Sequence, residues 1–302
     1  MLPAATEIVG ALGLTDQLVA VSHECDFPAE ANARPRGTHC EIYGKGLPSA
    51  EVDRWVSDRL RAGDSLYTLD EPLLRGLAPD LILTQKLCDV CAPAYGSVAA
   101  LAATLASRPR VLNLEPKSLA DVFGNIRAVA AAMDHADRAD AVIAGLERQV
   151  ATVVRRVEGL PRPTVFVMEW AEPIFNAGHW TPELVRLAGG TPVLSAEGEY
   201  SVRVPWEALR SADPEVLVIA CCGHTVERTR QDVPLLERLP GWHALRAVRG
   251  GRVYLADGSA YFSRPGPRVV DTLEILAAVT HTGVWADPGR CVEQVYRQGD
   301  DY

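Results

Sequence analysis

The chain has 302 residues, of which 48% are hydrophobic and 23% are charged, and its formal net charge is −9. A chain of this length and composition is long enough for two lobes with a core each, and it is typical of an ordinary globular protein. The acidic balance argues against a nucleic-acid-binding surface. No apolar run has the length of a membrane span, so we expect no membrane insertion.

The first segment, MLPAATEIVGALGL, has no basic start, no cleavage site and no cysteine that a lipid could modify. Those are the features of an export signal, so this segment gives no indication of export. The seven cysteines are an odd number, and in an unexported chain they are expected to be reduced thiols. We therefore expect a cytoplasmic protein.

Short β-branched runs alternate along the chain with segments of helical spacing, which is the pattern of βα units and parallel sheets. The strands that this pattern predicts lie at residues 17–21, 81–84, 164–168, 216–220 and 252–256. The expected fold class is α/β, with two Rossmann-like lobes that contain parallel sheets.

Short similarities recur in the same order in the two halves of the chain. TEIVGALG (6–13) is similar to PELVRLAG (182–189), LRGLAPDLIL (74–83) to LRSADPEVLV (209–218), and RVLNLE (110–115) to RVYLAD (252–257). Each similarity is weak, but their common order indicates two lobes with the same local architecture.

Residues 118–160, between the two halves, have apolar positions at helical spacing. About 40 helical residues would span roughly 60 Å, and Gly159, Pro161 and Pro163 end the pattern. We interpret this segment as a long backbone helix that joins an N-terminal lobe, residues 1–117, to a C-terminal lobe, residues 161–302. The alternative is two ordinary helices inside one domain.

Four segments carry a resemblance to a known family: LPAATEIVGALGL, LLRGLAPDLILTQ, PWEALRSADPEVLVIA and LPGWHALRAVRGGRVYLAD. In this ordered set the chain resembles the helical-backbone substrate-binding proteins of ABC importers, above all the vitamin-B12 (cobalamin)-binding group. The resemblance covers nearly the whole chain. It implies one small ligand, usually a metal chelate such as a corrinoid, haem or siderophore, held in a cleft between two lobes that move little.

The resemblance also implies a partner, because a glutamate on each lobe of these proteins docks onto arginines of the membrane permease. Glu207 stands at the matching place in PWEAL, and Glu71 in LDEPLL is an approximate counterpart. The alternative for each is an ordinary solvated charge on a helix. We expect the chain to depart from the family in having no signal or lipid anchor, and its connection at residues 37–72 is long for the family.

In open parallel sheets, ligands bind outside the carboxyl ends of the strands, so the loops after the predicted strands are expected to line the cleft. These loops are SHECDFP, QKLCDVCAPAYG, EWAEPIFNAGHW, CCGHTVE and DGSAYFSRPGP. The candidate ligand-binding residues that they contain are His23, Glu24, Cys25, Cys88, Cys91, Glu169, Trp170, His179, Trp180, Cys222, His224, Tyr261 and Arg264.

The thiols of these loops have several interpretations. Cys88, Cys91, Cys222 and His224 would suffice for a four-ligand structural zinc site, but such a site would lock the lobes and block the ligand. A redox role for the Cys88–Cys91 pair normally requires a different fold, in which the pair opens a helix. The remaining interpretations are packing as small apolar residues and contact with the ligand or its metal. We expect no resident metal ion.

The other candidates suit a flat, partly charged chelate. The imidazole of His23 suits an axial bond to cobalt or iron, and Cys25 is a second candidate metal ligand. Trp170 and Trp180 suit stacking on a macrocycle, and the guanidinium of Arg264 suits a ligand carboxylate or phosphate. The alternatives are a satisfied loop histidine, core tryptophans and an arginine paired with a nearby aspartate.

The sequence contains no G-x-S-x-G, P-loop, H-E-x-x-H or G-x-G-x-x-G motif, so it indicates no standard class of enzyme. The first hypothesis is a cytoplasmic protein that binds cobalamin, another corrinoid or a related metal chelate. The second is an enzyme recruited on the same scaffold, with a thiol or Glu169 acting in the cleft. The third is an importer subunit whose gene begins further upstream.

Overall fold

The computed structural model describes residues 1–86, 93, 95–284 and 291–296. The helices in this part are α1 Pro3–Ala11, α2 Ser49–Ala62, α3 Glu71–Leu77, α4 Tyr95–Thr104, α5 Leu119–Ala132, α6 Ala136–Val157, α7 Thr181–Leu187, α8 Trp206–Ala212, α9 Val226–Arg230, α10 Val233–Glu237, α11 Arg246–Arg249 and α12 Val269–Thr280. The strands are β1 Thr38–Cys40, β2 Tyr67–Leu69, β3 Leu81–Thr84, β4 Arg110–Asn113, β5 Thr164–Ala171, β6 Ile174–Asn176, β7 Thr191–Pro192, β8 Val216–Ile219, β9 Val253–Ala256 and β10 Val292–Gln294. A π-helix covers Gly258–Phe262. None of the described helices combines the length and the apolar character needed to cross a bilayer.

The chain divides into two compact units, and both contain helices and strands, which confirms the predicted α/β fold class. The N-terminal unit consists of Met1–Leu47, Glu51–Pro116 and Ala120–Gly145. The C-terminal unit consists of Pro48–Ala50, Lys117–Leu119 and Leu146–Tyr302. The chain thus passes from the N-terminal unit to the C-terminal unit for the last time inside α6, between Gly145 and Leu146.

The described residues of the N-terminal unit form two pairs of strands. β3 and β4 are parallel, with Leu81 opposite Arg110, whereas β1 and β2 are antiparallel, with Thr38 opposite Leu69. Next to β3 and β4, side chains from α3, β3, α4 and the residue after α4 form a core that includes Leu74, Ile82, Val98, Leu101 and Leu105.

The C-terminal unit is built around one six-stranded sheet. β5, β8 and β9 are parallel neighbours, and every residue of β8 and β9 is buried, as is typical of parallel strands covered on both faces. β7 runs parallel to the first residues of β5, β6 pairs with its last residues in antiparallel orientation, and β10 is antiparallel to β9. The carboxyl ends of the three central strands thus share one edge of the sheet.

The internal repeat of the sequence corresponds to matching elements in the two units. LRGLAPDLIL covers the end of α3 and β3, and LRSADPEVLV covers the end of α8 and β8. Each helix ends at a residue in the left-handed conformation directly before a proline, namely Ala78 with φ 45° and Asp213 with φ 42°. Leu74 and Leu209 hold the same place in the repeat and are both buried. The similarity therefore reflects a shared helix–turn–strand geometry.

The predicted strand at residues 17–21 is wrong. Thr15–Gln17 forms a 3₁₀ turn, and Val21 makes one isolated parallel bridge to Arg36. In this bridge the Val21 N–H donates to the Pro35 carbonyl at 3.0 Å, and its carbonyl accepts from Gly37 at 2.8 Å. The next bond of a parallel ladder would need an N–H on Pro35, which proline lacks, so the pairing stops there.

The predicted single helix over residues 118–160 is also wrong, because the structure divides it into α5 and α6. The chain leaves α5 through Asp134, which has φ 59°. The N–H groups of Asp134 and His135 donate to the carbonyls of Ala131 and Ala130 at 3.3 and 2.8 Å. This pair of bonds is the Schellman motif that ends a helix. Apolar spacing continues on both sides of the break, so periodicity alone did not reveal it.

Candidate functional site

The loop after Val21 places His23 among polar and aromatic groups of the N-terminal unit. The Nδ1 atom of His23 lies 2.8 Å from Thr38 Oγ1, and its backbone N–H donates to the same oxygen at 3.0 Å. The imidazole centroid lies 4.9 Å from the ring of Tyr43 and 5.5 Å from that of Tyr67. Because Thr38 is on β1 and Tyr67 is on β2, the antiparallel pair fixes the orientation of the imidazole.

The second ring nitrogen of His23, Nε2, is buried, and no polar atom in the described part of the chain forms a hydrogen bond with it. Burial, together with the nearby His39 and Arg36, lowers the pKa of His23 to about 4. The imidazole is therefore neutral at pH 7. When Nδ1–H donates to the Thr38 hydroxyl, the lone pair is on Nε2, and this is the form of histidine that binds a metal.

The two residues after His23 have different surroundings. The Cys25 thiol is buried, and its Sγ lies 3.1 Å from the hydroxyl oxygens of both Thr6 and Ser22. Glu24 is half-buried. Cys25 is thus a core thiol with two polar neighbours, whereas His23 keeps a ligand atom that no described group engages.

The loops after β8 and β9 meet at the carboxyl edge of the sheet in the C-terminal unit. The N–H of Ser259, in the π-helix after β9, donates to the His224 carbonyl at 3.0 Å. Gly258 lies so close to the loop after β8 that an added Cβ would be 2.1 Å from the carbonyl oxygen of Cys221. Only glycine fits this approach, which fixes the position of the CCGH segment.

Four of the predicted residues lie where β5 meets this segment. The N–H of Cys222 donates to the carbonyl of Glu169 at 2.9 Å, and both residues are half-buried. The ring of Trp170 packs 4.9 Å from the ring of His224, centroid to centroid, and its Nε1–H donates to the Glu172 carbonyl at 3.1 Å. Trp170 is therefore a half-buried ring at the sheet edge with its polar atom already bonded.

Cys221, His224 and Asp232 bring their ligand atoms within 4.8 Å of one another. His224 Nδ1 lies 3.9 Å from Asp232 Oδ2, and Arg228 Nη1 lies 3.3 Å from Asp232 Oδ1. Burial and the charge of Arg228, opposed by Asp232, lower the pKa of His224 to about 4. Burial, aided by Asp232, raises the pKa of the Cys221 thiol. A neutral imidazole and a protonated thiol therefore face a buried carboxylate.

Sequence reasoning identified only His224 of these three residues. The CCGH motif did point to the loop, but spacing does not tell which of two adjacent thiols turns inward, and the structure buries Cys221 while leaving Cys222 half-buried. Asp232 reaches the cluster through the return of the chain along α9, and nothing in the polar run RTRQD distinguishes it from a surface charge.

His179 and Trp180 precede α7 in the C-terminal unit. His179 has φ 55°, and its ring lies 5.6 Å from Trp180 and 5.2 Å from Tyr200, centroid to centroid. Burial, and then the charge of Lys117, lower the pKa of His179. Neither His179 Nε2 nor Trp180 Nε1 has a hydrogen-bond partner in the described part of the chain.

The exposed ring of this group is one that sequence reasoning missed. Tyr200 is 51% exposed, whereas Trp180 is only 6% exposed. The ammonium of Lys117 lies 4.3 Å from the Tyr200 ring centroid, a cation–π distance. Trp180 is thus largely packed inside the unit, and Tyr200 supplies the aromatic surface predicted for it.

Tyr261 and Arg264 follow β9, as predicted. Tyr261 is half-buried in the π-helix, and the guanidinium carbon of Arg268 lies 5.3 Å from its ring centroid. Arg264 is 4% exposed, and its Nη2 lies 3.4 Å from Ser259 Oγ. Arg264 is therefore packed inside the unit near the carboxyl edge of the sheet.

Glu71 and Glu207 both lie in the exposed first turn of a short helix. Glu71 pairs with Arg75 at 3.4 Å, and Glu207 pairs with Arg210 at 2.5 Å, each along its own helix. Exposed pairs of this kind contribute little to stability. Cys88 and Cys91, the remaining predicted residues, lie outside the described residues.

A surface pocket of about 450 Å³ in the C-terminal unit is lined by residues that include Arg162, Glu215 and Arg252. Glu215 and Arg252 directly precede β8 and β9, and Arg162 lies two residues before β5, so the pocket lies at the amino edge of the sheet. It is therefore at the opposite edge from the loops that hold the candidate residues.

A family profile described as "Periplasmic binding protein" matches residues 2–260 of the chain. The chain is also similar to the solved structure of a periplasmic vitamin B12 binding protein of Vibrio cholerae, with 20% identity, a TM-score of 0.66 and coverage of 93% of this chain and 94% of that chain. A periplasmic heme binding protein from Pseudomonas aeruginosa has 20% identity, a TM-score of 0.69 and coverage of 93% and 91%.

A third similar structure belongs to an ABC-type Fe3+-hydroxamate transport system from Saccharomonospora viridis, with 22% identity, a TM-score of 0.65 and coverage of 92% of this chain and 90% of that chain. At such identities the similarity shows a shared fold. The chain matches none of the curated protein sequences.

Proposed function

The chain belongs to the periplasmic binding protein family and is a substrate-binding protein of the ABC-transporter type, and we propose that its ligand is a flat metal chelate of the corrinoid or haem class. Related solved structures include a vitamin B12 binding protein and a heme binding protein. The chain's own residues, rather than these distant similarities, must carry the choice of ligand.

The observation that carries the proposal is the state of His23. Its imidazole is neutral, Thr38 and two tyrosine rings hold it in place, and its buried Nε2 has no partner in the described part of the chain. A buried polar atom normally has a hydrogen-bond partner, so one without a partner requires an explanation. An axial bond to the cobalt or iron of a bound chelate explains it, because neutral imidazole binds both metals.

Aromatic groups at the candidate loops support a flat ligand. In the C-terminal unit, Tyr200 offers an exposed ring, and Trp170 offers a half-buried one. Rings of this kind bury large apolar area against a planar partner and add a stacking preference. The cleft between the lobes that the sequence predicts stays a prediction.

Titration calorimetry of the full chain with cobalamin, cobinamide and haemin tests the proposal. We expect micromolar or tighter binding of at least one chelate, which corresponds to about −8 kcal/mol. The matched control is the same macrocycle without its metal, which should bind more weakly because it cannot form the axial bond. Equal affinity for the metal-free ring would reject axial coordination, and no heat with any of these compounds would reject the ligand class.

For an exported chain, which is the third hypothesis drawn from the sequence, we also propose that Glu71 and Glu207 dock onto basic groups of an ABC permease. Each lies in the exposed first turn of a helix, and each is held by a weak surface ion pair that a partner's arginine can replace. The double variant Glu71→Gln/Glu207→Gln should keep its affinity for the ligand and lose binding to the permease. Unchanged permease binding would reject the docking role.

The cytoplasmic location expected from the sequence stays a prediction. Fractionation of cells that express the untagged protein tests it, since an exported chain would appear outside the cytoplasmic fraction. An importer subunit must meet its permease outside the cytoplasm, so the same experiment separates the first and third hypotheses drawn from the sequence.

A further inference from the structure

The C-terminal unit holds one thiol, one imidazole and one carboxylate in a single buried cluster. Thiolate, imidazole and carboxylate are the side-chain groups that bind Zn²⁺, and a zinc ion usually has three or four protein ligands. We propose that Cys221, His224 and Asp232 bind one Zn²⁺ ion. The proposal departs from the expectation of no resident metal, and it does not depend on the chelate proposed above as the ligand.

The distances in the cluster suit such an ion. All three ligand atoms lie within 4.8 Å of one another, and His224 Nδ1 is 3.9 Å from Asp232 Oδ2. Ligand atoms of a tetrahedral zinc ion are roughly 3.5 Å apart, given bonds of about 2.0–2.3 Å. The cluster therefore needs only a small contraction, which rotation about side-chain bonds supplies.

A second observation points into the same space. His224 Nδ1 is buried, and no polar atom of the described residues forms a hydrogen bond with it. The carboxylate opposite is too distant for a hydrogen bond. An ion between the two groups would engage both of them and would account for a buried nitrogen that lacks a partner.

The contacts of Asp232 hold its carboxylate in place without occupying it fully. Arg228 Nη1 is 3.3 Å from Oδ1, and Ser49, in the segment Pro48–Ala50 that belongs to the same unit, donates to Oδ2 at 2.6 Å. A carboxylate oxygen has two lone pairs, so Oδ2 can accept from Ser49 and still bind an ion. Such outer groups commonly orient metal ligands.

Charge and access are also compatible with the ion. The ion would displace the proton of Cys221 to solvent. The resulting thiolate and the Asp232 carboxylate would then supply two negative charges next to Zn²⁺ and the Arg228 guanidinium. The His224 side chain is 12% exposed, so the cluster reaches solvent on one side. Three protein ligands leave a fourth position for water or another small group.

Zinc content of the full chain tests the proposal. Protein stripped with a chelator and dialysed against Zn²⁺ should contain one ion per chain, and Cys221→Ser and His224→Gln should each weaken binding at least about tenfold. The matched control is Cys222→Ser, which changes the adjacent, half-buried thiol and should bind Zn²⁺ as the unaltered chain does. Cys88→Ser/Cys91→Ser should also keep one ion.

Co²⁺ in place of Zn²⁺ gives a second readout, which reports whether a thiolate is bound to the ion. A bound Co²⁺ with a thiolate ligand produces a sulfur-to-metal charge-transfer band in the near ultraviolet. We expect this band in the unaltered chain, in Cys222→Ser and in Cys88→Ser/Cys91→Ser. Circular dichroism identifies any variant that has lost its fold, and the remaining variants decide the assignment.

Three outcomes would overturn the proposal. The first is no Zn²⁺ above the level of a mock-treated sample, and the second is a Co²⁺ complex of the unaltered chain without the thiolate band. The third is an ion that survives Cys221→Ser but is lost in Cys222→Ser or Cys88→Ser/Cys91→Ser. That last result would instead support the four-ligand site considered from the sequence.

Discussion

At the scale of single residues, the account depends most on His23, because its Nε2 is the proposed axial ligand. His23→Ala should weaken binding of a metal chelate at least about tenfold, or about 1.4 kcal/mol, and should change the visible spectrum of the bound metal. The control is His39→Ala, since His39 lies nearby on β1 with an exposed side chain. Equal affinities and spectra for the two variants would contradict axial ligation by His23.

The surroundings of His281 allow a prediction of how the free energy of unfolding depends on pH. It is buried, with Nε2 3.1 Å from the Ala188 carbonyl. Burial lowers its pKa, the Ala188 carbonyl opposes this, and Arg252 and Arg162 lower the pKa further. The unfolded chain, with an ordinary histidine pKa of about 6.5, therefore takes up the proton first as the pH falls. The contribution of His281 to the free energy of unfolding is therefore full above that pH. It is lost as the pH falls towards the lower pKa of the folded state.

The variant His281→Gln retains a hydrogen-bond donor and cannot titrate. Its urea midpoint should depend less on pH between about 7 and 5 than that of the unaltered chain. His243→Gln, at an exposed position, is the control and should leave the dependence as it is. A steeper dependence in His281→Gln would contradict the assigned direction of the shift.

Residue types at loop positions allowed part of the site to be predicted. His23 and His224 lie in loops after predicted strands, in motifs rich in metal-binding side chains. The structure places both in candidate sites. Asp232, Tyr200 and the inward orientation of Cys221 were missed, because each depends on how distant segments return to the sheet edge. Trp180, in contrast, was predicted to contact the ligand but is largely buried. The position of an aromatic residue before a helix does not indicate whether it is buried.

At the scale of elements, the left-handed ends of α3 and α8 predict a stabilising substitution. Ala78 has φ 45°, which costs an L-residue with a Cβ roughly 1–2 kcal/mol. Ala78→Gly should therefore raise the free energy of unfolding, by about 0.5–1 kcal/mol after the added flexibility of the unfolded chain is subtracted. Chemical denaturation measures this change.

Ala100→Gly is the matched control for Ala78→Gly. Ala100 is exposed inside α4, where glycine is unfavourable, so this variant should lose about 0.5–1 kcal/mol. The same substitution thus has opposite signs at the two positions. Destabilisation by both variants would show that the turn after α3 does not strain Ala78.

Gly258 lies at the junction of the loops after β8 and β9, and we expect its replacement by alanine to destabilise the protein. The Cβ of alanine would lie 2.1 Å from the Cys221 carbonyl oxygen, so Gly258→Ala must displace backbone, at a cost of about 1–3 kcal/mol. Gly76, inside α3, has nothing within 4 Å of an added Cβ, and Gly76→Ala should be neutral or stabilising. Similar stability of the two variants would contradict the close approach.

Elements were predictable where a periodic pattern and a local stop signal agreed. Strand Leu81–Thr84 has the predicted bounds, and the strands at Thr164, Val216 and Val253 begin within one residue of their predicted starts. The strand at 17–21 was wrong because Pro35, in the partner segment, ends the ladder. The helix over 118–160 was wrong because Asp134 takes a left-handed conformation in an otherwise continuous pattern. Both errors arise from single backbone positions that hydrophobic spacing does not report.

At the scale of the whole molecule, the order of weak similarities predicted the fold, whereas it does not determine the ligand. The α/β class and the family follow from segments spread over nearly the entire chain, so they tolerate local errors. Recognition of a chelate depends on a few atoms, such as His23 Nε2 and the ring of Tyr200. Solved structures of similar fold include proteins for vitamin B12, heme and Fe3+-hydroxamate, so fold alone leaves the ligand open.

The measurement that tests the central claim most directly is visible absorbance during gel filtration of the full chain. The chain is applied once as isolated from its own cells and once after incubation with cobalamin, cobinamide and haemin in turn. The account predicts that the absorbance of a metal chelate elutes with the protein in at least one run, near one chelate per chain. A chain that elutes without visible absorbance in every run would contradict it.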